Sequence, residues 1–241
     1  MNIIKVKNYK ELSMQAAGIV AAQISRKKNT VLGLPTGQTP LGMYQELIKR
    51  FRKGEIDFSQ VITFNLDEYY GLSPEHPQSY NYYMWQTFFN NINIKKENVF
   101  IPDGVTKDVQ KECRYYESLI EKKGGIDLQF LGIGDNGHIG FNEPAIALNS
   151  KTHLVNLSQA TIEANSRFFN DIEDVPRKAL TMGMGTIMKA KQIILLASGM
   201  KKAPAIAKTI NGKVSTEVPA SLLQLHRDVT IIVDKDAARD V

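Results

Sequence analysis

Short apolar segments rich in β-branched residues alternate along the chain with longer segments of helical periodicity. The apolar segments are 29–34, 61–66, 126–134, 192–197 and 228–234. Their length and composition predict buried strands. Helical spacing of apolar residues, often opened by Ser, Thr or Pro, occurs in 9–27, 40–52, 79–89, 109–122, 158–168, 201–210 and 219–225. This alternation predicts an α/β fold, with a mainly parallel, Rossmann-like sheet and helices on both of its faces.

Nothing in the sequence divides the chain into separate parts. No stretch rich in Pro, Gly or Ser interrupts it, and it contains no internal repeat. Its 241 residues fit one large α/β domain, so we predict a single domain over residues 1–241. Ligands of open α/β sheets bind beyond the carboxyl ends of the strands. We therefore expect the catalytic and ligand-binding residues in the segments that follow the predicted strands.

Composition and charge set the context for a function. Thirty basic and 25 acidic residues, a net charge of +5, are mixed along the chain, a pattern that does not favour nucleic-acid binding. The excess suits a small anionic substrate and equally a generic basic surface. Because Cys113 is the only cysteine, the chain forms no intramolecular disulfide. We interpret Cys113 as a structural residue. Because there is no signal-peptide-like segment and no apolar run of about 18 residues, we predict a cytoplasmic protein without a membrane partner.

The segment after the first predicted strand combines a glycine turn with a helix start. The turn consists of Thr36, Gly37, Gln38 and Thr39, and Pro40 follows at the first predicted helical position. Backbone N–H groups of such a turn converge at the positive end of a helix dipole, which makes it a candidate phosphate or carboxylate site. The alternative is structural: Thr39 caps the helix and Gly37 turns the chain. No Gly-Lys-Ser/Thr sequence follows, which excludes a nucleotide P-loop.

Two adjacent acids, Asp67 and Glu68, follow the predicted strand 61–66 and precede an aromatic-rich loop. A carboxylate that is partly desolvated at such a position has a raised pKa and can act as a general base. Asp67 is the better candidate of the two. The alternative is that either acid caps a turn or pairs with a lysine.

The segment LGIGDNGHIGFNEP at 131–144 has the highest density of candidate catalytic side chains, namely Asp135, Asn136, His138 and Glu143. Histidine exchanges protons near neutral pH, and Glu143 can orient it, so we interpret His138 as an acid–base group. The glycines also have the G-x-G-x-x-G spacing of dinucleotide-binding proteins. That motif opens directly into a helix, which Pro144 disfavours, so NAD binding is the weaker alternative.

Two cations, Arg167 and Lys202, complete the candidate set. Arg167 lies near the end of a predicted helix and Lys202 follows the predicted strand 192–197. Either can close an anion site from the side opposite Gly37, although helical cations are usually solvated. The four histidines are scattered without metal-binding spacing, and no G-x-S-x-G motif occurs. We therefore predict no metal site.

Three motifs in this order, LPTGQTPLGMY, FNLDEYYGL and GIGDNGHIGFNEP, resemble the glucosamine-6-phosphate deaminase family. The resemblance covers nearly the whole chain and continues in EHPQSY (75–80), NSRFF (165–169), ALTMGMGT (179–186) and LQLH (223–226). It implies an enzyme that converts glucosamine 6-phosphate to fructose 6-phosphate and ammonia without a cofactor.

The resemblance also implies a role for each candidate residue. Asp67 is the base that moves the C2 proton of the substrate, and His138, assisted by Glu143, opens the pyranose ring. The implied phosphate ligands are the turn at Thr36, Gly37, Gln38 and Thr39, together with Arg167 and Lys202.

One departure from the family pattern lies beside the histidine. Where some members read Asn-Asp-Gly-His, this chain reads Asp135-Asn136-Gly137-His138. An amide orients a partner by hydrogen bonds but carries no proton. Asn136 is therefore expected to assist ring opening by orientation, and more of the proton transfer depends on His138 and Glu143.

Other departures concern regulation. The chain ends with VTIIVDKDAARDV and so lacks the longer tail of allosterically activated members, and His153 and Val155 stand where those members carry basic residues. We expect no activation by N-acetylglucosamine 6-phosphate. The sequence leaves open whether the protein is a monomer or a homo-oligomer, and 145–175 is the segment where a lid over the site is to be sought.

Two alternative functions remain open at this point. A 6-phosphogluconolactonase shares the fold and a glycine-rich Gly-His loop, but NLDEY and FNEP are not expected in it. A non-catalytic sugar-phosphate-binding regulator would keep the phosphate ligands. The joint presence of Asp67, His138 and Glu143 counts against the regulator.

Overall fold

The structure, a computed structural model, describes residues 1–241. Its main sheet consists of β1 (Asn2–Val6), β2 (Val31–Leu34), β3 (Ile62–Asn65), β5 (Val99–Phe100), β6 (Leu128–Leu131), β9 (Gln192–Ala197) and β10 (Val229–Asp234). A smaller sheet consists of β4 (Asp67–Tyr69), β7 (His153–Asn156) and β8 (Lys178–Thr181). The helices are α1 (Tyr9–Arg26), α2 (Gln38–Arg52), α3 (Tyr80–Thr87), α4 (Val109–Lys122), α5 (Gln159–Ser166), α6 (Met184–Met188) and α7 (Ala203–Asn211).

The main sheet has the strand order β1-β10-β9-β6-β2-β3-β5, and every neighbouring pair is parallel. Adjacent residues of a central strand belong to different cores: Ile231 packs with residues of α4, α6 and α7, and Ile232 with residues of α1, α2 and α3. Both are fully buried, which explains why these strands read as continuous apolar runs. The predicted α/β fold, with a mainly parallel sheet and helices on both faces, is confirmed.

Several elements differ from the prediction. The five strands predicted from apolar runs are present, but β1, β5 and the three strands of the antiparallel sheet β4-β8-β7 were not predicted. The segment 219–225 forms a 3₁₀ helix instead of an α-helix. Helix α2 begins at Gln38, so Pro40 is its third residue and not its first. Proline is tolerated there because the N–H groups of a first helical turn have no acceptor within the helix.

The topology marks one position at the carboxyl edge of the main sheet. From β2 the chain continues to β3 on one side, and from β6 it continues through the small sheet to β9 on the other side. The gap between β2 and β6 is therefore the switch point where ligands of open α/β sheets bind. The segments after β9, β6, β2 and β3 lie side by side around this gap. None of the helices combines the length and apolar character needed to cross a bilayer.

Candidate active site

A cavity of about 540 Å³ opens at the switch point, a volume within the range of small-molecule sites. Nine of the ten candidate residues line it, namely Thr36, Gly37, Gln38, Thr39, Asp67, Asn136, His138, Arg167 and Lys202. Glu143 lies behind the cavity wall, in contact with Asn136 and His138. The carboxylate of Asp67, the imidazole of His138 and the glycine turn therefore face a common space.

The turn at 36–39 presents uncapped backbone N–H groups. Gly37 precedes α2 with a φ of 105°, a conformation that glycine adopts without strain. No side chain caps α2, so the alternative that Thr39 serves as its cap is wrong. The N–H groups of Gln38 and Thr39 have no acceptor within the protein. They are free to bind an anion at the positive end of the helix.

Two tyrosine hydroxyls, which the sequence did not single out, hold the carbonyl side of this turn. Tyr83 in α3 donates to the Gly37 carbonyl over 2.7 Å. Tyr9 in α1 donates to the Gln38 carbonyl over 2.9 Å and accepts from the Gly42 N–H over 2.7 Å. The Tyr9 hydroxyl is thus inserted between a donor and an acceptor of the first turn of α2. These contacts fix the backbone so that its N–H groups remain available on the cavity side.

Asp67 is a buried carboxylate that receives no hydrogen bond from the protein. It lies in β4 opposite Thr181 of β8 and is 6% exposed. Burial, with a further contribution from the charge of Glu68, raises the pKa of Asp67 to about 8. A Cβ placed on Gly140 would lie 3.7 Å from Asp67 Oδ2, so this carboxylate touches the segment that carries His138. Its environment suits a proton acceptor that works near neutral pH.

Glu68 has a structural role at the start of α3. Its carboxylate accepts the backbone N–H groups of Tyr69, Tyr80 and Asn81 over 2.8, 2.9 and 2.7 Å. Burial raises the pKa of Glu68 to about 7, and the three N–H donors act in the opposite direction. Of the two adjacent acids, Glu68 therefore anchors a helix and Asp67 is left facing the cavity.

His138, Asn136 and Glu143 form a hydrogen-bonded group. His138 Nδ1 lies 2.7 Å from Asn136 Oδ1 and 3.3 Å from Glu143 Oε2, and Asn136 Nδ2 donates to the same Glu143 oxygen over 2.7 Å. Since both neighbours of Nδ1 are acceptors, Nδ1 carries the proton of the neutral ring. Nε2 makes no hydrogen bond within the protein and is left as the proton-accepting atom.

Glu143 is held in its charged form. Burial raises the pKa of Glu143, but hydrogen bonds from His138, Thr161 and Asn136 and the attraction of the His138 charge outweigh that effect and lower it to about 2. The carboxylate is therefore ionised at neutral pH. It is placed to stabilise the imidazolium that forms when Nε2 takes a proton.

The two candidate cations are in different states. Arg167, which follows α5, is exposed, has no carboxylate partner, and lies with its guanidinium 4.7 Å from the Phe168 ring. Lys202 Nζ pairs with Asp135 Oδ1 over 2.6 Å. Because the Asp135 side chain is 63% exposed, this pair is weak and leaves Lys202 available to an anion. The role of Asp135, which the sequence left open, is that of a partner to Lys202.

No group of three or more His, Cys, Asp or Glu side chains is arranged to hold a metal ion. Cys113 is a buried free thiol in α4, outside the cavity lining. Burial raises the pKa of the Cys113 thiol, which disfavours the reactive thiolate.

Gly134 provides space for the His138 ring, which gives the glycine spacing a meaning other than dinucleotide binding. A Cβ at Gly134 would lie 2.2 Å from His138 Cε1 and 2.3 Å from Nδ1. Gly134→Ala should therefore displace the imidazole and lower kcat by about 10–100-fold, as misplacement by about 1 Å does. Steady-state kinetics check this, with Gly18→Ala in α1, where a Cβ meets nothing within 4 Å, as the control. Unchanged kcat in Gly134→Ala would show that the ring position is not critical.

The known proteins that this chain is similar to belong to one family. The sequence model of the family described as glucosamine-6-phosphate isomerases/6-phosphogluconolactonase matches residues 7–232. A protein named glucosamine-6-phosphate deaminase from Thermoanaerobacter sp. (strain X514) is 64% identical over 238 residues, which are 99% of this chain and 94% of that protein. A solved structure described as a monomeric glucosamine-6-phosphate deaminase has a TM-score of 0.97 and 47% identity, with 100% of both chains covered. The 6-phosphogluconolactonase from Trypanosoma cruzi, 20% identical, has a TM-score of 0.80 over 100% of this chain and 96% of its own, a likeness of fold alone.

Proposed function

The chain belongs to the family of glucosamine-6-phosphate isomerases and 6-phosphogluconolactonases, and from this premise we propose that it is a glucosamine-6-phosphate deaminase. It converts glucosamine 6-phosphate and water to fructose 6-phosphate and ammonia. The observation that carries the proposal is that a buried carboxylate with a raised pKa, Asp67, shares one cavity with His138 and the uncapped turn at 36–39. The 64% identity to a protein named for this activity supports it.

Ring opening is the first chemical step. His138 Nε2 accepts the proton of the anomeric hydroxyl and returns it to the ring oxygen, which gives the open-chain amino aldehyde. Glu143, ionised and 3.3 Å from His138 Nδ1, stabilises the transient imidazolium. Asn136 keeps the ring in the tautomer that leaves Nε2 unprotonated at the start.

Isomerisation and loss of ammonia follow. Asp67 removes the proton from C2 while O1 gains a proton, which gives an enolamine. Asp67 then delivers its proton to C1 and the nitrogen loses one, so that C1 becomes an alcohol and an imine forms at C2. Water adds to this imine to give a carbinolamine at C2. Its C–N bond breaks as the C2 hydroxyl becomes the carbonyl of fructose 6-phosphate, and the hydroxyl proton leaves with the nitrogen as ammonia. Proton transfers of this kind need only groups that titrate within reach of neutral pH.

Phosphate binding fixes the flexible open chain. The N–H groups of Gln38 and Thr39, with Arg167 and Lys202, hold the phosphate remote from C1 and C2. Binding energy at this remote group offsets the entropy of orienting the reacting carbons.

All groups of the mechanism come from one chain, so a monomer suffices. We place the enzyme in a reducing cytoplasm, in keeping with its single free thiol.

A paired assay separates this function from its alternatives. Purified protein is incubated with glucosamine 6-phosphate and then, separately, with 6-phosphogluconolactone. We expect one ammonia and one fructose 6-phosphate per substrate consumed, and no acid release from the lactone above the spontaneous rate. Acid release without ammonia would identify a lactonase. Binding of the amino sugar phosphate without either product would identify a regulator.

Lys202 is expected to act on substrate binding. Lys202→Ala should raise KM by about 10–100-fold, because a hydrogen bond to a charged group contributes about 1.5–3 kcal/mol, and should change kcat by less than about threefold. The exposed neighbour Lys201, which does not line the cavity, gives the matched control Lys201→Ala. A fall in kcat at unchanged KM would exclude Lys202 from phosphate binding.

A further inference from the structure

The N-terminal end of α5 contacts the back of Glu143. Thr161 Oγ1 donates to Glu143 Oε1 over 2.5 Å. Ser158, the N-cap of α5, donates to Thr161 Oγ1 over 2.9 Å and accepts the Thr161 N–H over 3.2 Å. Two hydroxyls thus form a chain that ends on the carboxylate, and bonds in such a chain polarise and strengthen each other.

The two oxygens of Glu143 face different partners. Oε2 contacts Asn136 and His138, and Oε1 contacts Thr161 and Ser158. The carboxylate is therefore a link between the imidazole and α5. Thr161 is 8% exposed, so water does not replace its hydroxyl easily. With a hydroxyl on one side, Glu143 has little freedom to turn away from His138.

The other end of α5 leads directly to the phosphate region. Arg167 follows the last residue of this eight-residue helix, about 9 Å along the axis from Thr161 at 1.5 Å per residue. Ala160, Thr161, Ala164 and Asn165 line the same cavity as Arg167. One short helix thus forms a cavity wall that supports Glu143 at one end and carries a phosphate ligand at the other.

We propose that Thr161 is a positioning residue that holds Glu143 against His138, and that α5 thereby couples phosphate binding at Arg167 to ring opening at His138. This inference rests on the proposed function for its kinetic consequences. The state of the His138 ring is a consequence that does not depend on turnover. Thr161 itself touches no reacting atom.

The first test removes the hydroxyl alone. Thr161→Val should lower kcat by about tenfold or more, with KM changed by less than about threefold, and Thr161→Ser should restore kcat to within about twofold to threefold. Thr209, a fully buried threonine in α7 that donates to the Ala205 carbonyl, gives the control: Thr209→Val should keep kcat. A Thr161→Val enzyme with kcat within twofold of the parent, or with only KM raised, overturns the positioning role.

The second test measures the coupling through a double-mutant cycle. Arg167→Ala in the parent should raise KM and also lower kcat by about threefold or more. In the Thr161→Val background, Arg167→Ala should raise KM without a further fall in kcat. Multiplicative effects of the two substitutions on kcat would show that the sites are independent and would overturn the coupling.

Imidazole ¹⁵N NMR separates this inference from the proposed function. The parent should show His138, assigned by its absence in His138→Gln, as the Nδ1–H tautomer. Thr161→Val should give a mixture or exchange broadening, whereas Thr161→Ser should resemble the parent. If the parent releases no ammonia but the spectra change in this way, the function falls and the positioning role stands. If ammonia is released and the spectra of all three proteins are alike, the positioning role falls.

Discussion

Asp67→Asn should lower kcat by about 10²–10⁴-fold, the contribution of a positioned general base. The amide has the shape of the carboxylate but cannot accept the C2 proton. Binding should persist, because Asp67 receives no hydrogen bond within the protein and the phosphate ligands are unchanged. Steady-state kinetics and titration with 2-amino-2-deoxyglucitol 6-phosphate, an open-chain analogue, measure the two effects. The control is Asp236→Asn, at an exposed position after β10. A kcat within threefold of the parent would exclude Asp67 as the base.

The same substitution should stabilise the protein, and increasingly so as the pH rises. The pKa of Asp67 is about 8 in the folded chain and about 3.9 in an unfolded one. Between these values the folded state binds more protons, so the stability of the parent falls as pH rises through about 8. Asn stays neutral throughout. The difference in Tm between variant and parent should therefore be small near pH 4 and largest above pH 8. A difference independent of pH would show that burial does not raise this pKa.

His138→Gln should lower kcat by about 10²–10³-fold, within the range of acid–base catalysis, because the amide has no atom that accepts and returns a proton at neutral pH. Affinity for the open-chain analogue should change by less than about threefold, since that ligand needs no ring opening. His153 in β7, whose ring is hydrogen-bonded to the Lys151 carbonyl and does not line the cavity, gives the control His153→Gln, for which kcat should be unchanged. Loss of analogue affinity together with kcat would indicate that His138 shapes the cavity and does not open the ring.

The central strands were predictable from the sequence, whereas the edge strands and the small sheet were not. Central strands are buried on both faces, so their apolar runs are unambiguous, as in β10. The edge strand β1 exposes Asn2 and Lys5, and β5 has only two residues. The strands β4, β7 and β8 have three or four residues each with several polar positions. Such short mixed patterns do not differ from those of loops.

The sequence located most of the site because reactive residues follow parallel strands, and parallel strands end at one edge. It identified Glu143 and Asn136 as residues that orient His138, but not the residues of α3 and α5 that hold the site from outside these segments. Tyr83 holds Gly37 from 46 positions away, and Thr161 holds Glu143 from 18. No periodicity or spacing rule connects such pairs, because their contact depends on the packing of α3 and α5. The helix-anchoring role of Glu68 also depends on where α3 starts in space.

One six-carbon sugar phosphate should span the cavity from the turn at 36–39 to Asp67. A crystal structure of the protein with 2-amino-2-deoxyglucitol 6-phosphate tests it directly. We expect the phosphate within hydrogen-bond distance of the Gln38 and Thr39 N–H groups, with C1 and C2 against the Asp67 carboxylate. A phosphate bound away from that turn, or C1 and C2 out of reach of Asp67, would contradict it.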